Sequence, residues 1–561
     1  MTFSELPYRR IDIQEYRGRF AKALDTFRNA ADTQAAKDAL KACYDLRNAY
    51  FTTESLAYIR YTMDTTDAFY SDEHDYYDAN RPQAEEMEHE FGLALLASKH
   101  RKGLEDAYGT LLFRNTEIAL KGFDKAIMDD MAEENRLTSQ YTRLIASAQI
   151  EFDGKTLNIS QLGYYMDSAD REVRKKAYRA RSDFFAQHAR ELDEIFDGLV
   201  KNRTQQARKL GYKNFVELGY LRRGRNCYGS AEVKAFRELV KKTLVPINRK
   251  LYEKQRERLG LDTLYFYDEE TVFPDGNPRP QGTADEIFEK ARAMFRELSP
   301  ETGRFFDFML EHKLFDVEGR RGKAAGGYCT ELPDYKFPFV FINDNGTHED
   351  ISTLAHESGH AFQYFQSRDI YPPDYVQPTM ETAEIHSISM EFFTWPWMES
   401  FFGKDADRYR TMHITKALQF IPYGCAVDEF QHIVYENPEL TPAERKQAWQ
   451  RLEHDYLPQL NYGDDPFFGA GGRWQRQLHI YELPFYYIDY CLAQTCALEF
   501  WAMAQKEGSA AFAPYLKLCG LGGTDTFTGL LKQVGLASPF EPQCLELVAR
   551  EAEKWIAASG I

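Results

Sequence analysis

The chain has 561 residues, of which 43% are hydrophobic and 14% aromatic, so it has ample material for a buried core and is not disordered throughout. Its length exceeds the roughly 250–300 residues at which single cores stop growing, and we therefore expect at least two lobes. Sixty-nine basic against 87 acidic residues give a formal net charge of −18, which opposes binding to nucleic acid and to anionic membranes.

The N-terminal sequence and the cysteines favour a cytoplasmic protein. The opening sequence MTFSELPYRRIDIQEY lacks the basic and apolar segments of a secretory signal, and no apolar run approaches the roughly 18 residues that span a bilayer. The eight cysteines are scattered, without a C-x-x-C pair, and we expect them to be reduced thiols. We predict a cytoplasmic location and no membrane partner, and the oligomeric state stays open.

The first part of the chain has the pattern of a helical array. From Tyr16 to Arg143 good helix formers predominate, and apolar residues recur three and four apart. The pattern changes at Gln149–Ile159 (QIEFDGKTLNI), where alternating apolar residues flank the turn dipeptide Asp153-Gly154 and predict a β-hairpin. We place a lobe boundary here, which gives an N-terminal helical lobe at 1–160 and a second lobe at 161–561.

Helices and one notable strand are predicted in the second lobe. Helix resumes after Asp167 and Ser168, either of which could cap it, and Gly211 offers a stop. The Pro- and Gly-rich segment Thr271–Gly282 predicts an exposed loop. Aromatic and β-branched residues at Phe337–Asn343 (FPFVFIN) predict a strand. The helix before Gly211 carries an apolar stripe of Leu192, Ile195, Phe196 and Leu199. The fold class is therefore mainly α with a few short β-strands.

The stretch Thr353–Gln363 (TLAHESGHAFQ) follows that strand and contains an H-E-x-x-H motif. In a helix, His356 and His360 lie about 6 Å apart along the axis, so both imidazoles can reach one ion at roughly 2.0–2.1 Å. Glu357 then faces the open coordination site of a zinc ion, where it can act as general base toward the water held there. The alternative is a polar helix face with two chance histidines, which would produce this pentapeptide only rarely. The motif predicts a site for one Zn²⁺ ion beside a sheet edge.

The motif leaves the site incomplete, because catalytic zinc normally takes three protein ligands. A metzincin continuation is absent, since Gln363 and Gln366 stand where its glycine and third histidine would be. A further ligand must come from later in the chain. The helix-like segment Met380–Phe393 (METAEIHSISMEFF) contains Glu381, Glu384, His386 and Glu391. Glu391 lies two turns after Glu384 on nearly the same face, and it is either an orienting partner of a histidine or a solvated residue.

Three segments carry a resemblance to a known family: Gly326–Gln363, Glu381–Phe393 and His479–Tyr490 (HIYELPFYYIDY). The sequence resembles the zinc oligopeptidase family of thimet oligopeptidase and oligoendopeptidase F, and is most similar to the oligoendopeptidase F branch. The resemblance implies that Glu384, in an E-[IV]-x-S element, is the third zinc ligand, with Glu381 as its chief competitor.

The same resemblance assigns His479, Tyr487 and Tyr490 to the stabilisation of negative charge on the substrate carbonyl oxygen, a role that contributes a factor of roughly 10²–10³ in rate. Because Tyr486 duplicates the candidate, which of the two neighbouring tyrosines faces the site stays open. As a bare pattern, tyrosines at helical spacing are more typical of a core.

Two further segments have alternative interpretations. The glycine-rich stretch Gly469–Trp474 (GAGGRW) completes no nucleotide-binding motif, and is either a cover that closes over bound peptide or a plain surface loop. The edge of the strand Phe337–Asn343 is either free, in which case it can pair with an extended substrate, or covered. The family uses such an edge, so we expect it to be free.

The resemblance implies a mainly α, elongated, two-lobed zinc peptidase with a deep substrate channel. Residues 161–561 would form the catalytic domain, and the lobe 1–160 would form part of the channel wall. The implied function is a zinc-dependent metalloendopeptidase that hydrolyses internal bonds of short unfolded oligopeptides. One alternative is a related zinc peptidase that trims dipeptides or single residues from chain ends. Another is a non-catalytic peptide-binding protein, which would have no need of Glu357 along with both histidines.

Overall fold

A computed structural model of the chain describes residues 1–558 and is mainly α-helical, which confirms the predicted fold class. The helices are Ile13–Arg28 (α1), Thr33–Met63 (α2), Ala68–Leu96 (α3), Arg101–Tyr108 (α4), Leu111–Lys121 (α5), Met128–Ala146 (α6), Ile159–Met166 (α7), Arg171–Gln187 (α8), Ala189–Lys209 (α9), Phe215–Arg222 (α10), Ser230–Arg258 (α11), Ala284–Leu298 (α12), Pro300–His312 (α13), His348–Ser367 (α14), Met380–Phe393 (α15), Met398–Phe402 (α16), Ala406–Glu436 (α17), Pro442–Tyr456 (α18), Leu478–Glu482 (α19), Tyr487–Glu507 (α20), Phe512–Leu521 (α21), Phe527–Val534 (α22) and Pro542–Ala558 (α23). The strands are Ile150–Phe152 (β1), Lys155–Leu157 (β2), Phe315–Glu318 (β3), Tyr328–Leu332 (β4) and Phe337–Asp344 (β5).

Among the helices of residues 1–558, none combines the length and the apolar character needed to cross a membrane. All eight cysteines lie in the described part of the chain, and all are thiols, as predicted.

The chain forms two compact units, each assembled from separate stretches of sequence. The first unit comprises Met1–Leu120, Arg279–Ala406 and Phe500–Leu536. The second comprises Lys121–Pro278, Asp407–Glu499 and the residues from Ala537 onward. The predicted division into 1–160 and 161–561 is a division along the chain, and it stays a prediction.

The first three helices of the first unit pack around a shared aromatic core. Phe20, Tyr44 and Phe91, one from each helix, are buried in it. Asp12 and Asp32 start α1 and α2 by accepting hydrogen bonds from backbone N–H groups of the first turn. Helices α1 to α6 cover most of the segment in which the sequence predicted a helical array, so that prediction is confirmed.

A three-stranded sheet in the first unit carries the predicted strand. Its order is β3-β5-β4, with β5 parallel to β3 and antiparallel to β4, and Val340 lies opposite both Phe315 and Cys329. The strand itself is confirmed, but the expectation that its edge is free is wrong. Since β5 is the central strand, its backbone groups are already paired on both sides, and the outer strands of this sheet are β3 and β4.

The strand β5 leads directly into the helix that contains the H-E-x-x-H motif, as predicted. Only three residues separate β5 from α14. Thr347 caps the helix with its hydroxyl, and Asp350 accepts hydrogen bonds from the backbone N–H groups of Asn345 and Gly346. These contacts fix the connection and therefore the direction in which α14 leaves the sheet.

The second unit begins with helix and contains the predicted hairpin. Strands β1 and β2 pair antiparallel, and Asp153 and Gly154 have φ values of 51° and 70°, as a tight hairpin turn requires. The prediction that Asp167 or Ser168 caps the next helix is wrong. Those residues follow the short helix α7, which the sequence analysis missed, and Asp170 caps α8.

The apolar stripe and the stop after it are confirmed. Gly211, with a φ of 85°, follows the end of α9. Thr271–Gly282 is a loop as predicted, although Val272 and Phe273 are buried within it. The buried face of α9 includes Leu192, Ile195, Phe196 and Leu199.

The glycine-rich stretch of the second unit is a packed turn. Phe468–Gly472 forms a kinked turn, in which Gly471 has a φ of 86° and both Gly471 and Gly472 are buried. A Cβ atom on Gly471 would lie 2.3 Å from the backbone oxygen of Lys446 in α18. The interpretation as a plain surface loop is therefore wrong for these two residues, and close packing against α18 accounts for the glycines.

Candidate active site

Helices α14 and α15 of the first unit bring two imidazoles and one carboxylate together. Oε2 of Glu384 lies 3.5 Å from Nε2 of His356 and 3.5 Å from Nε2 of His360. Ligands about 2.0–2.1 Å from a tetrahedral zinc ion are separated from one another by roughly 3.3 Å, so these distances suit a zinc ion. All three ligand atoms lie within 4.8 Å of one another, and the group could hold a metal ion.

The two candidate glutamates of α15 have different surroundings. Glu384 accepts a hydrogen bond from the hydroxyl of Ser387, which lies 3.2 Å from Oε2 and so orients the carboxylate. Glu381 instead accepts a hydrogen bond from the Thr379 hydroxyl at 3.0 Å and is not part of the three-residue group. The geometry favours Glu384 as the third ligand.

Glu391 contacts the first histidine of the motif. Its Oε1 lies 2.8 Å from Nδ1 of His356, on the side of the ring away from Glu384. A carboxylate on Nδ1 keeps the proton there and leaves the Nε2 lone pair available to a metal ion. Of the two interpretations that the sequence left open for Glu391, the structure has the orienting contact.

The electrostatics of the cluster follow from burial and from these contacts. Burial raises the pKa of Glu384, but hydrogen bonds with His356 and His360 outweigh it and keep that pKa well below its usual value. Burial lowers the pKa of His356, yet hydrogen bonds with Glu384 and Glu391 raise it well above normal. Glu357 is buried, and burial raises its pKa although both histidines partly offset the effect. A carboxylate with a raised pKa is suited to accept and return a proton.

Gly359 allows α14 and α15 to approach closely enough for this cluster to form. A Cβ atom at this position would lie 2.6 Å from the backbone oxygen of His386 and 2.6 Å from Cα of Ser387. The two helices therefore meet here backbone to backbone. The sequence analysis did not single out Gly359, although a glycine between the two histidines is the signal that could have indicated a close helix contact.

The sequence analysis also did not indicate that Cys329 lies near the site. It lies on the outer strand β4, where burial raises the pKa of its thiol and the carboxylates of Glu357 and Glu331 raise it further. Strand β4 therefore passes beside the Glu357 carboxylate.

The second unit gathers the predicted oxyanion-stabilising residues around His479. The centroid of its ring lies 4.9 Å from that of Tyr487 and 6.1 Å from that of Tyr490. Tyr486 is buried, whereas Tyr487 and Tyr490 are partly exposed. Tyr487 is thus better placed than Tyr486 to contact a ligand.

Gln477 orients His479, and the sequence analysis missed this residue. Its Nε2 lies 2.7 Å from Nδ1 of His479, while its Oε1 accepts a hydrogen bond of 2.7 Å from the hydroxyl of Tyr423. Because the amide N–H donates to Nδ1, the imidazole carries its own proton on Nε2, where it can be donated to a ligand.

Comparison with known proteins finds two family models along the chain. The model for the peptidase M3 N-terminal domain matches residues 3–123, and the model for peptidase family M3 matches residues 164–549. A solved structure of PZ peptidase A with an inhibitor is 48% identical in sequence, with a TM-score of 0.94 and 99% of each chain covered. A structure of a provisionally named oligoendopeptidase F is 49% identical, with the same TM-score and 99% of each chain covered.

A more distant relative is oligopeptidase PepF from Bacillus subtilis. It is 22% identical over 446 residues, which cover 75% of this chain and 64% of the relative. The chain thus matches a little under two thirds of the length of that relative.

Proposed function

Because the chain belongs to peptidase family M3, we propose that it is a zinc-dependent metalloendopeptidase that hydrolyses internal bonds of short, unfolded oligopeptides. The observation that carries the proposal is the position of Glu384, whose Oε2 lies 3.5 Å from Nε2 of both His356 and His360. This arrangement supplies two nitrogen donors and one oxygen donor, which are three of the four ligands that a tetrahedral catalytic zinc ion takes.

Each residue of the cluster has a distinct role in the proposed reaction. His356, His360 and Glu384 would hold the ion. When bound, zinc supplies Lewis acidity, which polarises the scissile carbonyl and acidifies water. Glu357 takes a proton from the attacking water and passes it to the nitrogen of the leaving amine. Glu391 keeps the ring of His356 turned toward Glu384 throughout.

His479, Tyr487 and Tyr490 are proposed to donate hydrogen bonds to the carbonyl oxygen as negative charge develops on it. This role comes from the family resemblance and is supported by the Nε2–H tautomer that Gln477 imposes on His479. A cytoplasmic location belongs to the same proposal, and the eight thiols, which persist in a reducing compartment, support it.

Metal analysis beside a quenched-peptide assay tests the proposal. We expect Glu357→Gln to keep zinc and the fold while kcat falls roughly 10²- to 10⁴-fold, because the metal ligands are untouched but the general base is gone. We expect His360→Ala to lose the metal as well as the activity. Full activity in the Glu357→Gln protein would refute the general-base assignment.

A peptide blocked at both ends separates the endopeptidase from a peptidase that trims chain ends. We expect the wild-type protein to cleave such a peptide at an internal bond, which mass spectrometry of the products would locate. Cleavage only of peptides with an unblocked end would favour the trimming alternative. Zinc binding without turnover of any peptide would favour a binding protein.

A further inference from the structure

A cavity of about 700 Å³ lies in the first unit, where the end of β4 meets α2, α3 and the second half of α14. Its volume falls in the range of roughly 300–1,000 Å³ that is typical of ligand sites. Its walls are aromatic and charged, and they include Tyr44, Tyr50, Tyr364, Tyr371, Glu331 and Gln377. None of the residues proposed to bind zinc or to stabilise the oxyanion lines this cavity.

The cavity begins close to the candidate active site. Glu331 lines it, and Cys329, two residues earlier on the same face of β4, is near enough to Glu357 to feel its charge. On α14, Tyr364 lines the cavity one helical turn after His360. Two residues of a strand span about 7 Å, so β4 carries Glu331 about two residues of an extended peptide beyond Cys329.

Glu331 differs from the other acidic residues around the cavity. Apart from the exposed Glu85, each of those carboxylates forms an ion pair: Asp45 with Lys41, Glu54 with Arg81, Glu88 and Asp374 with Arg47, and Asp369 with Lys336. Glu331 forms no ion pair with any described residue, and its side-chain partner is Nε2 of Gln377 at 3.3 Å.

The surroundings of Glu331 disfavour a lone negative charge. Burial raises the pKa of its carboxyl to about 7, and no basic side chain offsets the effect. Arg368, a basic residue of the cavity wall, stacks its guanidinium 3.5 Å from the ring centroid of Phe365. A half-buried carboxylate without a cation is partly desolvated at a cost, and a positively charged ligand group would offset that cost through a charge-assisted hydrogen bond.

We propose that Glu331 binds a positively charged group of the substrate peptide, two or three residues from the bond that is cleaved. The group is either the α-ammonium of the peptide or a Lys or Arg side chain, since both present N–H donors to a carboxylate. This inference rests on the proposed function, because it assumes that the peptide passes Glu357. The net charge of −18 supports it, since a negative protein raises the local concentration of cationic peptides.

A series of quenched peptides tests whether the protein prefers substrates with a positive charge near the cleaved bond. Each peptide is blocked at both ends and carries no charge except that of a single Lys, which is moved through the positions on either side of the cleaved bond. Norleucine replaces Lys in the uncharged counterpart of each peptide. We expect kcat/KM to be roughly ten- to a hundredfold higher for Lys at one position two or three residues from the cleaved bond. A second series with norleucine throughout compares acetylated with unblocked N-termini, and so distinguishes the α-ammonium from the side chain.

Two variants test whether the Glu331 carboxylate causes the preference for positively charged peptides. In Glu331→Gln, which is nearly isosteric, we expect the ratio of kcat/KM for charged over uncharged peptide to fall to about one. Asp45→Asn is the matched control, because Asp45 lines the same cavity but is exposed and paired with Lys41, and we expect it to keep the wild-type ratio. Melting temperatures of both variants verify that they fold.

Peptide binding by calorimetry separates this inference from the proposed function. In the Glu357→Gln background the peptides are bound without turnover, and Kd should favour the charged peptide only while Glu331 is present. If the wild-type protein cleaves no peptide, the proposed function fails while this measurement still decides the role of Glu331. Equal kcat/KM for charged and uncharged peptides at every position, or a preference that survives Glu331→Gln, would overturn the inference.

Discussion

At the scale of single residues, three of the side chains that are proposed to contact metal or substrate have a partner that orients them. Glu391 lies on Nδ1 of His356, Ser387 lies on Oε2 of Glu384, and Gln477 lies on Nδ1 of His479. An imidazole turns readily about its χ angles, so a contact on the far nitrogen selects both the tautomer and the ring orientation. The chemistry of the site therefore depends on these partners as well as on the residues they hold.

Glu391→Ala should weaken zinc binding roughly 10- to 100-fold, because His356 would lose the contact that holds its ring and tautomer. Competition against a chelator of known affinity measures the zinc Kd. Glu381→Gln is the control, since Glu381 is on the same helix but outside the three-residue group, and it should keep the wild-type Kd. A zinc affinity lowered by Glu381→Gln and unchanged by Glu391→Ala would reverse the assignment.

At the scale of elements, the site depends on how closely α14 and α15 pack. The sequence predicted both helices, and the segment Met380–Phe393 is α15 to the residue. What it did not indicate is that Gly359 places the two backbones in contact at His386 and Ser387. This contact brings Glu384 within reach of two histidines that lie more than twenty residues earlier in the chain.

Gly359→Ala should push α15 away from α14, because the added methyl group would lie 2.6 Å from backbone atoms that cannot rotate aside. We expect a loss of about 1–3 kcal/mol in the free energy of unfolding together with a marked loss of zinc affinity. Thermal unfolding and metal analysis measure the two effects.

Gly163→Ala is the matched control for that substitution. Gly163 lies in α7, and a Cβ atom there would meet nothing within 4 Å. Alanine should therefore stabilise that helix by about 0.5–1 kcal/mol, since it has the higher helix propensity. If both alanine variants behave alike, the close approach at Gly359 is not what holds the site together.

At the scale of the whole molecule, the family predicted from three short segments is confirmed, and the fold is mainly helical as expected. The second unit also contains buried charges that the sequence analysis did not anticipate. Arg237 pairs with Asp428, and Arg225 pairs with Asp489, with every one of these side chains almost fully buried. His432 lies in the same region, with its Nε2 3.0 Å from the hydroxyl of Tyr220.

The environment of His432 predicts a dependence of stability on pH. Burial lowers its pKa to about 4, with Asp428 partly offsetting the effect and Arg237 adding to it. Below the unfolded value of about 6.5 the unfolded chain takes up a proton that the folded chain excludes, so this contribution to stability is complete above pH 6.5 and is lost as the pH falls toward 4.

His432→Gln should reduce the acid sensitivity of the protein, because glutamine keeps a polar group near Tyr220 but does not titrate. Between pH 7 and pH 5 the histidine accounts for a loss of roughly 2 kcal/mol in the free energy of unfolding. The difference between the melting temperatures at these two pH values should therefore be smaller in the variant than in the wild-type protein. Equal differences in the two proteins would contradict the assignment.

The sequence by itself determined the features that depend on neighbours along the chain. Apolar spacing predicted the helices, Asp153-Gly154 predicted the hairpin turn, and the H-E-x-x-H motif placed His356 and His360 on one helix face, because a helical turn fixes their separation. Cap positions were less certain, as Asp170 shows, because several polar residues in succession can start a helix.

Only the tertiary structure decided which distant groups meet. It separated Glu384 from Glu381, placed Glu391 on His356, and made β5 a central strand whose neighbours come from elsewhere in the chain. It also brought Glu331 to the wall of a cavity without giving it a cation. These arrangements depend on how helices and strands pack across long stretches of intervening sequence, and no periodicity within a single segment records that packing.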